Sequence, residues 1–150
     1  MGLNQNTWKL NQWYDQDVAG NVSYSGSQQL WMAGQNTTGV LGQNSTTTQY
    51  SSPVQIYGGG STWSEIITPN AGSRALALKT DGTIWTWGPD SEGNLGLNDP
   101  YDTKYSSPVQ IGSGTDWTAI AAGTNSAMAL KTDGTAWAWG YNEKGELGQN

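Results

Sequence analysis

Residues 77–88 read Ala-Leu-Lys-Thr-Asp-Gly-Thr-Ile-Trp-Thr-Trp-Gly, and residues 129–140 read Ala-Leu-Lys-Thr-Asp-Gly-Thr-Ala-Trp-Ala-Trp-Gly. An Asp-Gly pair between two strand-like runs is a strong β-hairpin signal, because the turn needs a residue that adopts positive φ easily. Identical context in both copies favours a turn-forming role for the aspartates over a catalytic one. The predicted structural turn residues, which join antiparallel strands, are Asp81, Gly82, Asp133 and Gly134.

A longer periodicity surrounds these hairpins. The string Tyr-Ser-Ser-Pro-Val-Gln-Ile occurs at residues 50–56 and again at 105–111, and Trp31, Trp85 and Trp137 lie 54 and then 52 residues apart. Each period holds four short strand-like pieces, one of which we expect to begin at its proline. A repeat of about 50 residues with four strands is typical of a β-propeller blade. The predicted fold class is all-β, a partial propeller of four-stranded blades.

The chain divides into a short polar arm at residues 1–29 and propeller repeats at residues 30–150. The repeats are assigned to 30–83, 84–135 and a partial one at 136–150. This is too little to close a ring of four to eight blades. We therefore expect either that the native polypeptide is longer or that other chains complete the ring.

Apolar residues in the arm follow a helical spacing, which predicts a short amphipathic helix between residues 7 and 18. A helix this short is not stable alone in water and needs a partner surface, either its own propeller or another protein. The arm is therefore predicted to anchor the protein to a partner. The proposed anchoring residues are Trp8, Leu10, Trp13, Tyr14 and Val18.

The composition excludes several functions. The 150 residues include no Cys and no His, which removes thiol catalysis, disulfides and the commonest general base and metal ligand. A net charge of −6 disfavours nucleic-acid binding, and no apolar run is long enough to span a membrane. The sequence therefore predicts no enzyme activity, no catalytic residues, no cofactor and no metal site.

Two clusters have competing interpretations. The paired tryptophans in strands could stack on sugar rings, but their recurrence in register favours packing between blades. A loop of acidic and amide residues could hold calcium, but it lacks the glycine of a calcium-binding loop, which favours a solvated acidic loop. The tryptophans are Trp85, Trp87, Trp137 and Trp139, and the loop residues are Asp90, Glu92, Asn94, Asn98, Asp99 and Asp102.

The order of these motifs closely resembles the regulator of chromosome condensation repeat family. The shared order is Ala-Leu-Lys-Thr-Asp-Gly-Thr-x-Trp-x-Trp-Gly, then Gly-x-Leu-Gly, Ser-Pro-Val-Gln-Ile, Trp-x-x-Ile and Ala-Gly, over residues 30–150. The resemblance implies a seven-bladed propeller in which each sequence repeat straddles two blades. The founding member promotes nucleotide exchange on a small GTPase and binds chromatin, but here Asn125 replaces a usual histidine and a basic tail is missing.

The start of the arm resembles the polar N-termini of structural proteins from tailed bacteriophages. We therefore expect a non-enzymatic binding protein on a virion, anchored through the arm to other virion proteins, with a host surface glycan as a second partner. The alternative is a carbohydrate-binding adhesin at a cell surface. A third hypothesis is a propeller that regulates a GTPase.

Overall fold

The computed structural model describes residues 29–47, 49–58, 60, 62–69, 74–99 and 102–148. Within these ranges the chain forms nine strands and no helix, so the predicted all-β class is confirmed. The helix expected near residues 7–18 and the anchoring residues lie outside the described residues. The strands are β1 (Trp31–Gly34), β2 (Tyr50–Gln55), β3 (Trp63–Ile67), β4 (Ala75–Lys79), β5 (Ile84–Asp90), β6 (Thr103–Gln110), β7 (Trp117–Ala122), β8 (Ser126–Lys131) and β9 (Ala136–Gly140).

The strands form three antiparallel sheets in which chain neighbours are also spatial neighbours. The first sheet pairs β1 with β2, the central sheet has the order β3-β4-β5-β6, and the third sheet has the order β7-β8-β9. The central sheet is the four-stranded blade expected from the repeat period. It combines the end of one sequence repeat with the start of the next, so each sequence repeat contributes to two sheets.

Each Asp-Gly pair lies in the connection between two strands of one sheet. Gly82 joins β4 to β5 with φ of +76°, and Gly134 joins β8 to β9 with φ of +84°. Oδ1 of Asp81 accepts hydrogen bonds from the backbone N of Thr83 at 3.0 Å and from its Oγ1 at 2.6 Å. The aspartate therefore closes the turn, while the glycine supplies the left-handed conformation.

The sequence pattern predicted that the two repeated prolines begin strands, and this prediction is wrong. Pro53 lies inside β2 and Pro108 lies inside β6. Both strands are at the edge of their sheets, and the β5–β6 ladder shifts register between Thr86 and Gly88, opposite the proline segment. An edge strand and an irregular ladder both tolerate a residue that has no N–H to donate.

The central sheet is buried on both faces because its strands alternate two apolar sets. Ala75, Ala77 and Trp87 pack towards the first sheet, in a cluster with Ile56 and Trp63. The opposite face packs against the third sheet in a second cluster. That cluster contains Leu76, Leu78, Ile84, Ile120, Ala127 and Ala129. Sheet-to-sheet burial of alternating side chains is therefore the main contact between neighbouring blades.

A tryptophan of one sheet lies against a positive-φ glycine of the preceding repeat at both interfaces. Trp87 is fully buried, donates its indole N–H to the Val40 carbonyl at 2.6 Å, and lies beside Gly42. Trp139 lies beside Gly96, where an added Cβ would come within 2.7 Å of the indole nitrogen. Unlike that of Trp87, this indole nitrogen is buried and makes no hydrogen bond within the described residues. We call the site that Gly42 and the Val40 carbonyl form around Trp87 the tryptophan socket.

A buried guanidinium also ties the central sheet to the third sheet. Arg74 is 1% exposed and donates to the carbonyls of Gly123, Thr124 and Ser126 at 3.0, 2.7 and 2.8 Å. Burial lowers the pKa of Arg74, and the negative charge of Asp90 opposes that shift. Arginine stays protonated in proteins, so this residue is a permanent charged bridge between two blades.

The two turn glycines offer a matched pair for mutation. Gly134→Val is expected to lower the free energy of unfolding by more than about 1 kcal/mol, because a β-branched residue cannot easily hold φ of +84°. Gly82→Val is expected to cost more, since a Cβ there would overlap the Thr115 carbonyl, whereas no atom lies within 4 Å of a Cβ at Gly134. Urea unfolding followed by circular dichroism measures both. Equal losses would contradict the packing role of Gly82.

Candidate interaction surface

The ends of the Asp-Gly hairpins carry a repeated arrangement of charged and aromatic side chains, which we call the hairpin rim. In each of the central and third sheets it consists of two tryptophans, a lysine and the turn aspartate. The residues are Trp63, Lys79, Asp81 and Trp85 in the central sheet, and Trp117, Lys131, Asp133 and Trp137 in the third sheet.

In the central sheet, the lysine ammonium lies over both indole rings. Lys79 Nζ is 4.6 Å from the ring centroid of Trp63 and 4.0 Å from that of Trp85. The rings meet edge to face, with centroids 6.3 Å apart and an interplanar angle of 78°. Burial lowers the pKa of Lys79, while the Asp81 carboxylate acts in the opposite direction. The geometry is that of a cation–π contact shared by two rings.

The third sheet repeats this geometry with more exposure. Lys131 Nζ lies 4.8 Å from the Trp117 ring centroid and 5.5 Å from that of Trp137, and the two rings cross at 80°. The ammonium also forms an ion pair with Asp116 at 3.2 Å. Trp137 is 55% exposed, so part of its indole surface is open to contact with another molecule.

The first sheet contributes further exposed aromatic surface. Trp31 stands at the position equivalent to Trp85 and Trp137, is 53% exposed, and is counted as the first sheet's member of the hairpin rim. Tyr57 is 60% exposed. Half-exposed aromatic rings on a rigid sheet are suited to binding apolar, cationic or sugar groups. The hydrogen bond from Trp85 Nε1 to Thr83 Oγ1, at 2.8 Å, shows that the turn fixes the ring orientation.

The loop expected to be solvated and acidic is instead partly buried. Asp90 is 1% exposed and Asn94 is 5% exposed, so the prediction is wrong for these two residues. Asp90 Oδ1 accepts a hydrogen bond from the backbone N of Leu95 at 3.1 Å. Equivalent bonds join Asn36 to Leu41 and Asn142 to Leu147, both at 3.0 Å. This position therefore closes the loop in all three repeats, and the reason for its burial is structural.

The described residues contain no group of three or more acidic, histidine or cysteine side chains placed to hold a metal ion. Within the same residues, no helix is long and apolar enough to cross a membrane.

The sequence analysis did not predict two features of the surface, namely the placement of Lys79 and Lys131 over tryptophans. The repeated lysine two positions before each Asp-Gly pair was the available signal.

The turn aspartates predict a pH dependence of stability. Hydrogen bonds from Thr83 and Thr135 lower the pKa of Asp81 and Asp133 below its ordinary value. Their contribution is therefore present above the pKa of the unfolded chain and is lost as pH falls through the lower folded pKa. Urea unfolding between about pH 5 and pH 2 should show a shallower loss of stability for Asp81→Asn with Asp133→Asn than for the wild type. Parallel profiles would contradict this contribution.

Comparison with protein families identifies the repeat. The family model of the regulator of chromosome condensation (RCC1) repeat matches residues 81–130, and a second model of the same repeat matches residues 117–146. Residues 81–146 therefore match the repeat of the regulator of chromosome condensation family, as the motif order indicated.

Individual relatives agree with this assignment. The human Regulator of chromosome condensation is 30% identical over 131 residues, covering 85% of this chain and 30% of that protein. Human HERC3, a probable E3 ubiquitin-protein ligase, is 39% identical over 75 residues, covering 49% of this chain and 7% of that protein. The chain thus spans less than a third of the length of either relative.

A solved structure shares the fold. Prp20p from Saccharomyces cerevisiae superimposes with a TM-score of 0.68 at 19% identity, over 80% of this chain and 31% of that one. Its structure is described together with its binding properties to Gsp1p and histones. At this identity the likeness establishes the propeller fold of the chain.

Proposed function

We propose that this chain is a non-enzymatic binding protein that contacts a partner protein through the hairpin rim. The observation that carries the proposal is Trp137, which is 55% exposed beside Lys131 and held by the hairpin turn. Aromatic side chains on rigid supports are enriched at the energetic centres of protein interfaces. The binding of Prp20p to Gsp1p and histones supports a protein as the partner class.

Charge adds a preference for a basic partner. The chain has a net charge of −6 and a sequence pI of about 4.2. An acidic surface accelerates association with basic proteins, and exposed indole faces bind lysine and arginine side chains. The partner segment is therefore proposed to carry lysine or arginine together with apolar residues.

A random peptide display library tests this function, because it samples many partner chemistries at once. Peptides enriched on the wild-type chain are expected to be basic, and their affinity should fall at least about tenfold for Trp31→Ala with Trp137→Ala. Lys104→Ala, a change at an exposed position on β6, serves as the control and should retain binding. Failure to enrich any peptide, or enrichment that is insensitive to both tryptophans, would contradict rim binding.

Carbohydrate binding is the second candidate, because the half-exposed rings of Trp31 and Trp137 offer flat faces to a sugar. A glycan array separates it from protein binding. Saturable binding of one glycan, lost in the same double variant, would favour the adhesin hypothesis. Nucleotide exchange on a GTPase stays a third proposal, measured by release of labelled GDP from a small GTPase in the presence of the chain.

The finer proposal places the protein on a bacteriophage particle, anchored by residues 1–29. It rests on the polar, aromatic-rich sequence of the arm alone. The relatives named above are human and yeast proteins and do not support it. Each anchoring side chain would contribute on the order of 1.5–3 kcal/mol when buried against another virion protein.

Deletion of the arm tests this placement. A chain that begins at Ser27 is expected to be absent from assembled particles while retaining its β-sheet circular dichroism, because the sheets lie after the deleted residues. Full occupancy of particles by the shortened chain would exclude the arm as the anchor. A triple change of Trp8, Trp13 and Tyr14 to serine in the full-length chain distinguishes lost side-chain contacts from lost chain length.

A further inference from the structure

Two loops of the chain have closely matching backbones. Residues 36–45, the first loop, align without a gap with residues 90–99, the second loop. Every residue of the first loop with positive φ has a counterpart in the second, and the pairs are Gly39 with Gly93, Gly42 with Gly96, and Asn44 with Asn98. Glu92 is the one further residue of the second loop with positive φ. The first loop therefore indicates which atoms face each other across the second.

The first loop shows what the buried side chain at its start does. Asn36 is 0% exposed and bonds to the loop at two points. Its Oδ1 accepts a hydrogen bond from the backbone N of Leu41 at 3.0 Å, and its Nδ2 donates to the Ser45 carbonyl at 2.8 Å. One amide thus supplies both the acceptor and the donor that the loop backbone needs.

The second loop replaces that donor with an acceptor. Asp90 stands at the position of Asn36, and Asp99 stands at that of Ser45. Oδ1 of Asp90 keeps the bond from the backbone N of Leu95, whereas its Oδ2 is buried without a hydrogen-bond partner among the described residues. By the correspondence of the loops, Oδ2 faces the Asp99 carbonyl, so two acceptors oppose each other. An arrangement of this kind costs free energy unless a cation or a donor lies between the oxygens.

A second buried oxygen of the same loop also lacks a donor. Asn94 is 5% exposed, and its Nδ2 donates to Oγ of Ser91 at 3.4 Å. Its Oδ1 is buried and has no partner within the described part of the chain. The first loop has Val40 at this position, so both substitutions add a buried acceptor to the second loop. Arg74 does not supply the donor, because its described hydrogen bonds go to carbonyls of the third sheet.

The charge around the second loop attracts cations. Residues 90–102 contain four acidic residues and no Lys or Arg. The Tyr105 hydroxyl donates to Asp99, which raises the pKa of Tyr105, and the negative charge of Asp90 adds to this rise. Asp90 and Asp99 therefore act on one hydroxyl, which places their charges close together. The negative charges of the loop outnumber the single positive charge of Arg74.

We propose that the second loop binds one calcium ion through Oδ2 of Asp90, Oδ1 of Asn94 and the Asp99 carbonyl. Carboxylate, amide and backbone carbonyl oxygens are the ligands of calcium in proteins, and waters complete its roughly six to eight positions. A single water molecule donates two hydrogen bonds, which would leave one of these three oxygens unpaired. Magnesium requires a near-ideal octahedron, which an irregular loop does not provide.

This calcium site differs from the sites that the sequence excluded. It has one carboxylate ligand, whereas the described residues lack a metal-binding group of three or more acidic, histidine or cysteine side chains. The sequence pattern favoured a solvated acidic loop over calcium, but the burial of Asp90 and Asn94 removes that argument. The site is separate from the hairpin rim and does not depend on rim binding.

Calcium titration of the full 150-residue chain tests the proposal. Isothermal titration calorimetry is expected to show one saturable site with a dissociation constant between about 0.1 and 1 mM, since a single charged ligand gives a weak site. Calcium at about 10 mM should raise the melting temperature by at least about 3 °C. Magnesium at the same concentration should have a smaller effect. Equal effects of the two ions would indicate general screening of the net charge of −6 and would overturn the proposal.

Variants locate the bound ion. Asn94→Val introduces the residue of the first loop without changing charge and should weaken calcium at least about tenfold. Asp90→Asn restores the donor seen at Asn36 and should abolish the calcium-dependent rise in melting temperature. Each variant is compared with and without calcium, so its basal stability does not enter. Glu65→Gln removes one negative charge from an exposed position on β3 and should retain calcium binding.

Two results would overturn the calcium site. Absence of saturable binding by the wild-type chain would mean that a protonated Asp90 carboxyl or a water molecule supplies the donor. Unchanged calcium affinity in either Asn94→Val or Asp90→Asn would mean that calcium binds elsewhere on the acidic surface.

Discussion

Replacing Trp87 with alanine is expected to lower the free energy of unfolding by about 3–5 kcal/mol. The indole is fully buried between the first and central sheets, where it meets Trp63 edge to face at 5.9 Å. Its N–H donates to the Val40 carbonyl at 2.6 Å, and truncation leaves that buried acceptor without its donor. The change therefore creates a cavity and an unpaired carbonyl at one interface. Urea unfolding monitored by circular dichroism measures the loss.

Trp137→Ala is the matched control for this prediction. It removes the same kind of side chain from the last strand of the third sheet, but from a site that is 55% exposed. Its expected cost is about 1 kcal/mol or less, from one edge-to-face pair and one cation–π contact. Similar losses for Trp87→Ala and Trp137→Ala would mean that the socket contributes little to the interface.

Arg74→Met is expected to cost about 3–5 kcal/mol, for an electrostatic rather than a packing reason. Methionine keeps much of the side-chain volume but leaves the carbonyls of Gly123, Thr124 and Ser126 without their donor, and removes the positive charge near buried Asp90. Hydrogen bonds to charged groups contribute more than neutral ones, so their loss exceeds the effect of changed packing.

Arg74→Lys separates charge from geometry. A lysine keeps the positive charge but cannot reproduce the forked donor pattern that contacts three carbonyls. We expect it to recover less than half of the stability lost in Arg74→Met, as measured by thermal and urea unfolding. Full recovery would show that charge near Asp90 matters more than the hydrogen bonds to the third sheet.

The sequence predicted the features that are decided locally. The Asp-Gly turns follow from positive φ at Gly82 and Gly134, and the aromatic strands follow from the alternation around Trp85. Each of these depends on a few adjacent residues, so the repeated pattern was sufficient. The four-stranded blade followed from counting such segments within one period.

The features that the sequence did not predict depend on contacts between repeats. Asp90 is buried because the loop folds back on its own strand, and Arg74 is buried because its acceptors come from a sheet about 50 residues later. Pro108 lies inside a strand because that strand is at a sheet edge. Tertiary position, which the local sequence pattern does not contain, decided all three.

The partnership between Arg74 and Asp90 has a consequence for how such repeats can be duplicated and exchanged. The central sheet is the one with an arginine at this position, since the third sheet has Ser126 there, and the loop position that is Asn36 and Asn142 elsewhere is aspartate here. A grafted repeat that carried the arginine without the aspartate would bury an uncompensated charge. The two residues therefore have to be transferred together when a repeat is grafted, because a boundary between residues 74 and 90 would separate the buried charge from its counter-charge.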